Sequence, residues 1–350
     1  MAELYSWPEI LTAVLDRRDL SVSESTWAMR KVMSGAATPS QLGGFLLALR
    51  AKGETVDEIV GFRDAILEAA LPLPVPAEVL DIVGTGGDRF GTVNISTMSA
   101  IVAAATGIPV VKHGNRAASS ASGSSDVLGA LGIDLTLSPE RVSEVLGEVG
   151  ITFAFASAFH PGFRHAGPTR AELGVPTVFN ILGPLCNPAR AEANAVGVAN
   201  LDRVPLITGV FQTRGATALV FRGDDGLDEL TTTGHSRLWE ISRGDIHEHD
   251  LDPRDLGLPL ADIGDLLGGD AAHNAEVVRR VLAGEAGAVR DIVLLNAAAG
   301  IVSYELFRDA AQVQRPIVER LSDAMARAGA AIDDGAAQAV LDRWVLATQR

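Results

Sequence analysis

Three prolines at every second position divide this sequence into two parts of different character. Pro72, Pro74 and Pro76 exclude a continuous helix because proline lacks an amide proton and restricts the residue before it. Such a segment favours an extended, semi-rigid connection. We predict a small helical domain over 1–70 joined by a segment near 165–185, a hinge over 71–78 and an α/β domain over 79–350.

Helix start signals occur three times before the prolines. In a capping box, a hydroxyl side chain and a Glu or Gln three residues later satisfy free backbone amides at the start of a helix. The pairs are Ser21 with Glu24, Thr38 with Gln41, and Thr55 with Glu58. Apolar residues follow at helical spacing, which predicts amphipathic helices that pack against a partner surface.

After the prolines, short apolar runs alternate with helical segments. This alternation predicts the α/β fold class, in which a central sheet is flanked by helices. The predicted strands are 79–83, 109–111, 151–156, 195–199, 217–221 and 237–241. Segments at 96–106, 124–131 and 139–149 lie between the first strands, and the chain returns to helix from Ala271.

The balance of charged residues argues against several classes of partner. With 29 basic and 44 acidic residues the formal net charge is −15, and such a surface repels duplex nucleic acid and anionic lipid. No apolar run reaches the ~18 residues of a membrane span. The single cysteine, Cys186, excludes an internal disulfide framework and indicates a reducing compartment. We therefore expect a cytoplasmic protein without a nucleic-acid or membrane partner.

A glycine-rich turn follows the first predicted strand. Gly84, Gly86 and Gly87 precede polar residues that open a helix. Such a loop can bring backbone amides onto a phosphate, and the helix start adds partial positive charge. The turn lacks the Gly-Lys-Ser/Thr of a P-loop and the GxGxxG spacing of a dinucleotide fingerprint. A tight strand-to-helix turn without a ligand is the alternative interpretation.

Two further polar clusters follow later strands. Lys112 and Arg116 stand beside several serines, and this combination of charge and donors suits an oligophosphate, with a polar surface loop as the alternative. The acidic run 224–229 offers carboxylates of the kind that Mg²⁺ takes, although such a run on its own is more often a solvated turn than a metal site. Because strand ends lie together in α/β sheets, we expect the loop with Lys112 and Arg116 to face the glycine-rich turn.

Six motifs occur along the chain in a fixed order. They are GTGGD at 84–88, NIST at 94–97, KHGNR at 112–116, SGSSD at 122–126, NILGPLCNP at 180–188 and DGLDE at 225–229. Together they resemble the anthranilate phosphoribosyltransferase family, from about residue 5 to the C-terminus. The resemblance implies the class II nucleoside phosphorylase type of fold and a homodimer formed through the small helical domain.

The resemblance also implies a reaction and a metal. Members of the family transfer the phosphoribosyl group of phosphoribosyl diphosphate (PRPP) to the amine of anthranilate, giving N-(5-phosphoribosyl)anthranilate and diphosphate in tryptophan biosynthesis. The implied cofactor is Mg²⁺, as a pair of ions served by Ser96, Asp228 and Glu229. Departure of diphosphate builds negative charge, which Mg²⁺, Lys112 and backbone amides would stabilise in an oxocarbenium-like transition state.

Matching motif positions implies the substrate contacts. Anthranilate is expected at Gly84, Asn115 and Arg170, with His113 beside it, although Arg170 on its own reads as an ordinary arginine on a helix surface. The expected catalytic residues are Lys112, His113 and Arg170. PRPP is expected at Gly84, Gly87, Asp88, Thr92, Asn94, Ile95, Ser96, Thr97, Lys112, His113, Gly114, Asn115, Arg116, Ala117, Ala118, Ser119, Ser120 and Ser124.

Three residues near the motifs carry no assigned role. His160 and His165 flank a Pro-Gly turn and are expected to be structural or to lie at the rim of the site. Arg89 follows the glycine-rich turn at a position where the family often has glycine, so it could change loop mobility or phosphate affinity.

Two other functions remain as alternatives on the sequence alone. A pyrimidine nucleoside phosphorylase shares the fold and a phosphate loop, but its signature loops differ from GTGGD and KHGNR. A noncatalytic relative of this fold would bind nucleic acid, which the net charge of −15 and the complete acidic segment both oppose.

Overall fold

Four helices occupy the chain before the three prolines in the computed structural model, which describes residues 4–116 and 122–350. They are α1 (Trp7–Leu15), α2 (Val22–Met33), α3 (Pro39–Lys52) and α4 (Val56–Glu68). The hydroxyls of Ser21, Thr38 and Thr55 each accept a hydrogen bond from the amide three residues later. The three predicted capping boxes are therefore confirmed.

A seven-stranded sheet forms the centre of the α/β part and confirms the predicted fold class. Its strands are β1 (Leu80–Gly84), β2 (Val110–Gly114), β3 (Ile151–Phe155), β4 (Ala193–Gly197), β5 (Thr217–Gly223), β6 (Ser236–Ser242) and β7 (Asp245–Leu251). They lie in the order β3-β2-β1-β4-β5-β6-β7. The pairs up to β5 are parallel, and β6 and β7 add two antiparallel pairs.

The last strand, β7, was missed by the sequence analysis. Its sequence DIHEHDL buries only Leu251, and it pairs with β6 at the edge of the sheet. Charged side chains are typical of such edges because they discourage pairing with another chain. The strand therefore lacks the apolar alternation that identifies a half-buried strand.

Eleven helices accompany the sheet among the described residues. They are α5 (Ile95–Ala105), α6 (Ser124–Ala130), α7 (Pro139–Val149), α8 (Ala156–Phe159), α9 (Gly167–Leu173), α10 (Phe179–Leu182), α11 (Val204–Arg214), α12 (Ala271–Leu282), α13 (Ala288–Arg308), α14 (Ile317–Asp333) and α15 (Ala336–Thr348). Most side chains of α13 are buried, and it packs against α5, α14 and β4. Within 4–116 and 122–350, none of these helices combines the length and apolar character needed to cross a membrane.

The helical part and the α/β part share one apolar cluster. It joins buried side chains of α1 to α4 with Phe179 and Leu182 of α10, with α11 and with β4 and β5. An ion pair joins Glu54 of the helical part to Arg203, at the start of α11. The helical part therefore completes its apolar core by packing against the α/β part. The domain limits given by the sequence analysis stay a prediction.

Candidate active site

The loops that follow β1, β4 and β5 meet at the carboxyl edge of the sheet. The strand order reverses between β1 and β4, and ligands of open α/β sheets bind outside the carboxyl ends of strands at such a point. Thr85, directly after β1, donates its amide to the Gly197 carbonyl at the end of β4 over 2.9 Å. The amide of Gly86 donates to Asp228 Oδ2, beyond β5, over 2.6 Å. The glycine-rich turn and the acidic turn are therefore in direct contact.

The glycine-rich turn leads into the start of α5. Gly86 and Gly87 have φ angles of 70° and 91°, which glycine adopts without steric cost. Arg89 takes a φ of 64°, so the position where the family often has glycine retains a left-handed backbone here. Asn94 makes no side-chain cap on α5. The Ile95 and Thr97 amides donate to the Val93 and Asn94 carbonyls, and the partial positive charge of the helix start favours an anion nearby.

Lys112 reaches this turn from β2. The side chain is 1% exposed, and Nζ donates to the Ile82 carbonyl over 2.6 Å and to Ser96 Oγ over 3.1 Å. Burial lowers the pKa of Lys112, while the charges of Asp81, Glu229 and Asp228 act in the opposite direction. An amino group is therefore held between β1 and the start of α5.

Asp228 and Glu229 lie against the glycine-rich turn and are almost fully buried. A Cβ at Gly197 would lie 1.7 Å from the Asp228 carbonyl oxygen, and one at Gly84 would lie 2.3 Å from Asp228 Oδ2. Only glycine permits this approach. Burial, then the charge of Asp88, raises the pKa of Asp228 to about 7.

The pKa of Glu229 lies well above its usual value, first because of burial and then because of the Asp228 charge. The same carboxyl receives a hydrogen bond from the backbone of Ser96. In the described part of the chain, no three His, Cys, Asp or Glu side chains are grouped to hold a metal by themselves. Mg²⁺ usually takes one or two protein carboxylates and completes its shell with water and substrate oxygens. The buried Asp228 and Glu229 carboxyls, whose negative charge is not fully balanced by nearby positive groups, fit that ion.

His113 presents a neutral imidazole on the other face of β2. The ring is buried, and Nδ1 lies 3.0 Å from the Gly183 carbonyl oxygen. Because a carbonyl only accepts, this contact assigns the proton to Nδ1. Burial, with a smaller contribution from His160, lowers the pKa of His113 to about 3. Nε2 is then a buried acceptor with no hydrogen-bond partner among the described residues.

A series of aromatic contacts leads from His113 to Arg170 on α9. The rings of His113 and His160 are 5.2 Å apart, and His160 stacks on Phe163 at 5.1 Å. Phe163 contacts Phe179 at 5.9 Å, and the Arg170 guanidinium lies 4.9 Å from the Phe179 ring. Burial lowers the pKa of Arg170. His160 was expected to be structural or to lie at the rim of the site, and its buried position in this series agrees with a packing role.

Other motif residues lie around the edge of the site. Asn115 Oδ1 accepts from Ser157 Oγ over 2.9 Å, and Thr92 forms an isolated bridge with Leu267. Gly87, Asp88, Ile95, Thr97, Gly114, Arg116 and Ser124 lie in the glycine-rich turn, in the first turns of α5 and α6, or at the end of β2. Ala117, Ala118, Ser119 and Ser120 lie outside the described residues.

Asn274 is a neighbour of the site that the sequence analysis missed. Its Nδ2 donates to Asn94 Oδ1 over 2.8 Å, and its Oδ1 accepts from Gly269 N over 2.8 Å. Asn94 in turn donates to the Ser122 carbonyl over 3.2 Å. Asn274 is 180 residues from Asn94 and belongs to none of the six motifs, so the sequence around it does not indicate this contact.

Family models match both parts of the chain. The helical bundle domain of a glycosyl transferase family matches residues 8–70, and the a/b domain of that family matches residues 76–338. The anthranilate phosphoribosyltransferase of Leifsonia xyli subsp. xyli is 72% identical over 349 residues, covering 100% of both chains. That of Arthrobacter sp. (strain FB24) is 55% identical, covering 98% of this chain and 96% of its own.

Solved structures give the same result. The anthranilate phosphoribosyltransferase of Thermus thermophilus superposes with a TM-score of 0.89 at 41% identity, covering 97% of this chain and 99% of its own. The Saccharomyces cerevisiae enzyme in complex with PRPP and Mg has a TM-score of 0.87 at 27% identity, with 98% of each chain covered. Sequence, fold and site geometry agree, and the chain belongs to the anthranilate phosphoribosyltransferase family.

Proposed function

We propose that this chain transfers the phosphoribosyl group of PRPP to the amine of anthranilate, releasing diphosphate, as the resemblance implies. One observation carries the proposal: the buried Lys112 amino group and the buried Asp228 and Glu229 carboxyls converge on the first turn of α5. A metal-bound diphosphate needs backbone amides, positive charge and metal-binding carboxylates together. The yeast relative is described in complex with PRPP and Mg, which supports the same ligands here.

The metal assignment follows from the acidic pair. We assign a pair of Mg²⁺ ions to Ser96, Asp228 and Glu229, with Asp88 next to Asp228. When bound, Mg²⁺ supplies positive charge to the diphosphate oxygens. The two carboxyls are kept dry by burial, so a cation that pairs with them meets little competition from water.

Departure of the diphosphate is helped by groups that are already in place. As the bond from ribose C1 to oxygen breaks, negative charge develops on the leaving group. The Lys112 ammonium and the partial positive charge at the start of α5 stabilise it. These groups need no rearrangement during the reaction, so they favour the transition state over the ground state. PRPP would lie along the glycine-rich turn, the end of β2 and the start of α6.

Anthranilate is assigned to the face of β2 that carries His113. The Arg170 guanidinium makes no hydrogen bond or ion pair within residues 4–116 and 122–350, and it would pair with the anthranilate carboxylate. Gly84 and Asn115 complete the assigned contacts. The amine of anthranilate is uncharged at neutral pH, so it needs an acceptor rather than a strong base, and Nε2 of the neutral His113 fits that role. Positioning then contributes much of the rate.

Replacement of Arg170 tests the anthranilate assignment. In Arg170→Ala the KM for anthranilate is expected to rise about 100-fold, since a hydrogen bond to a charged group is worth up to ~3 kcal/mol. The dissociation constant of PRPP, measured by calorimetry, should stay within twofold of the wild-type value. Arg164→Ala is the control because Arg164 is an exposed arginine of the same segment. Equal losses of both substrates would remove Arg170 from its assigned role.

We also propose a cytoplasmic homodimer formed through the helical part. The resemblance implies this dimer, and Leu4, Leu15 and Leu47, which are 82%, 70% and 44% exposed on that part, are candidate contacts with the partner. Sedimentation equilibrium would test the dimer, and Leu15→Glu should shift the protein toward the monomer if the proposed surface is correct.

A further inference from the structure

The pairing of β1 with β2 stops after one position. Leu80 pairs with Val110, whereas β1 pairs with β4 at five positions as far as Gly84. If the register from Leu80 and Val110 continued, the Ile82 carbonyl would accept from the His113 amide, and the Val111 carbonyl would accept from the Ile82 amide. The sheet instead splits between its two central strands next to Lys112 and His113.

Side chains occupy the split and take over these backbone groups. Asp81 Oδ1 accepts from the His113 amide over 3.0 Å. Asn187 Nδ2 donates to the Val111 carbonyl over 2.8 Å and to Asp81 Oδ2 over 2.8 Å. Both side chains are buried. Asp81 lies in β1, three residues before Gly84, and Asn187 belongs to NILGPLCNP. Neither residue has a role in the proposed reaction.

The split also determines where Lys112 goes. The Ile82 carbonyl, released from the ladder, accepts from Lys112 Nζ over 2.6 Å. The same amino group then reaches Ser96 Oγ, and on the opposite face of β2 the His113 ring reaches Gly183. If β1 and β2 were fully paired, the Ile82 carbonyl would accept from the His113 amide. It would then no longer be the acceptor for Lys112 Nζ.

We propose that Asp81 and Asn187 form a positioning pair that keeps β1 and β2 apart and thereby places the Lys112 amino group and the His113 imidazole in the site. The pair touches neither substrate. Its importance for catalysis rests on the proposed function, because that function assigns Lys112 to the diphosphate and His113 to anthranilate.

The polarity of this arrangement is fixed by backbone groups. Asp81 must accept at both oxygens, since the His113 amide can only donate. Asn187 cannot turn its amide over, because its Nδ2 serves the Val111 carbonyl and its Oδ1 accepts from the Ala189 amide over 2.9 Å. An asparagine at position 81 has the same shape, but its NH₂ group must point at another donor, either the His113 amide or Asn187 Nδ2.

The experiment compares Asp81→Asn with Asn194→Ala in the full chain. Asn194 is the register partner of Asp81 on β4, on the side of β1 away from β2, and its buried side chain donates to the Ala191 and Thr217 carbonyls. It therefore controls for a loss of stability. Three quantities are measured: the melting temperature, the PRPP dissociation constant with Mg²⁺, and the ¹H and ¹⁵N shifts of ¹⁵N-labelled histidine. The His113 signals are assigned by their loss in His113→Asn.

We expect Asp81→Asn to raise the PRPP dissociation constant at least about tenfold and to move the His113 backbone and ring resonances, while Asn194→Ala changes neither at a similar melting temperature. Asn187→Ala, which leaves the bond from Asp81 to the His113 amide in place, should give a smaller change of the same kind. If Asp81→Asn does not fold, Asn187→Ala decides the question by the same comparison.

Unchanged PRPP affinity and unchanged His113 resonances in the folded variants would overturn the positioning role. If the wild-type chain itself failed to bind PRPP, the proposed function would be wrong, and the histidine resonances would still decide whether the pair positions His113.

Discussion

At the scale of single residues, the chain holds its charged site residues away from water. Lys112, Asp228 and Glu229 are buried, and burial shifts the pKa of each toward the uncharged form. A buried charge is stable only when it is paired. The site is therefore prepared for a ligand that brings both a cation for the carboxyls and an anion for the lysine, as a metal-bound diphosphate does.

Removal of both acidic side chains tests the metal assignment. Asp228→Ala with Glu229→Ala is expected to abolish Mg²⁺-dependent turnover and Mn²⁺ binding seen by electron paramagnetic resonance in the presence of PRPP. The protein should still fold, because the two buried negative charges are not fully balanced when no metal is bound, so that their removal costs little stability. Asp224→Ala is the matched control, since Asp224 is an exposed carboxylate of the same turn. Wild-type turnover in the double variant would exclude these residues from the metal site.

The pH dependence of stability tests the burial of His160. Burial lowers the pKa of His160 to about 4, whereas an unfolded histidine titrates near ~6.5. The unfolded chain therefore gains protons first as the pH falls, and this single group lowers the free energy of unfolding by about 2 kcal/mol between pH 7 and pH 5.

His160→Gln should remove that contribution. Its free energy of unfolding, measured with urea at both pH values, is expected to fall by about 2 kcal/mol less than that of the wild type. His165→Gln, at an exposed histidine of the same segment, should follow the wild type. Parallel pH dependence in all three proteins would mean that His160 titrates normally in the folded state.

At the scale of elements, the sequence predicts what depends on local pattern and misses what depends on distant contacts. Capping boxes and apolar strands are local, so the starts of α2 to α4 and six strands were predicted. Among the elements that were missed, β7 shows no alternation because an edge strand is solvated, and α11 was not separated from the strands beside it. The split between β1 and β2 depends on Asn187, more than a hundred residues from Asp81.

For the candidate site, too, the sequence predicts what depends on local motifs and misses what depends on distant contacts. The motif positions placed Lys112, Ser96, Asp228 and Glu229, which do come together. Their burial, the proton on His113 Nδ1 and the contact of Asn274 with Asn94 depend on packing. No pattern within one segment indicates them.

The approach of the acidic turn to β4 can be tested at one glycine. In Gly197→Ala the new Cβ would lie 1.7 Å from the Asp228 carbonyl oxygen, so the turn must move. We expect a loss of ~1–3 kcal/mol in the free energy of unfolding and a weaker apparent affinity for Mg²⁺ in the turnover assay.

Gly129→Ala provides the control for that variant. Gly129 lies inside α6, and a Cβ there meets nothing within 4 Å. Alanine favours a helix over glycine by up to ~1 kcal/mol, so this protein should be slightly more stable and keep the wild-type Mg²⁺ dependence. If Gly197→Ala behaved like Gly129→Ala, the close packing of the acidic turn on β4 would be incorrect.

At the scale of the whole molecule, the two assigned substrates lie on different structural units. The diphosphate groups belong to the sheet and α5, whereas Arg170 is on α9, in the segment that packs beside the helical part. The ring contacts from His113 through His160 and Phe163 to Phe179 connect them. Both units must be in place for the amine to meet ribose C1, so the account requires that the reaction depend on the complete chain.

The most direct test is the loss of anthranilate fluorescence in a mixture of purified protein, PRPP and Mg²⁺. Each component is omitted in turn, and phosphorolysis of thymidine and uridine is assayed in parallel. The account predicts fluorescence loss only when protein, PRPP and Mg²⁺ are all present, with no phosphorolysis. Unchanged fluorescence in the complete mixture together with phosphate-dependent cleavage of a nucleoside would contradict the proposed function and favour a pyrimidine nucleoside phosphorylase.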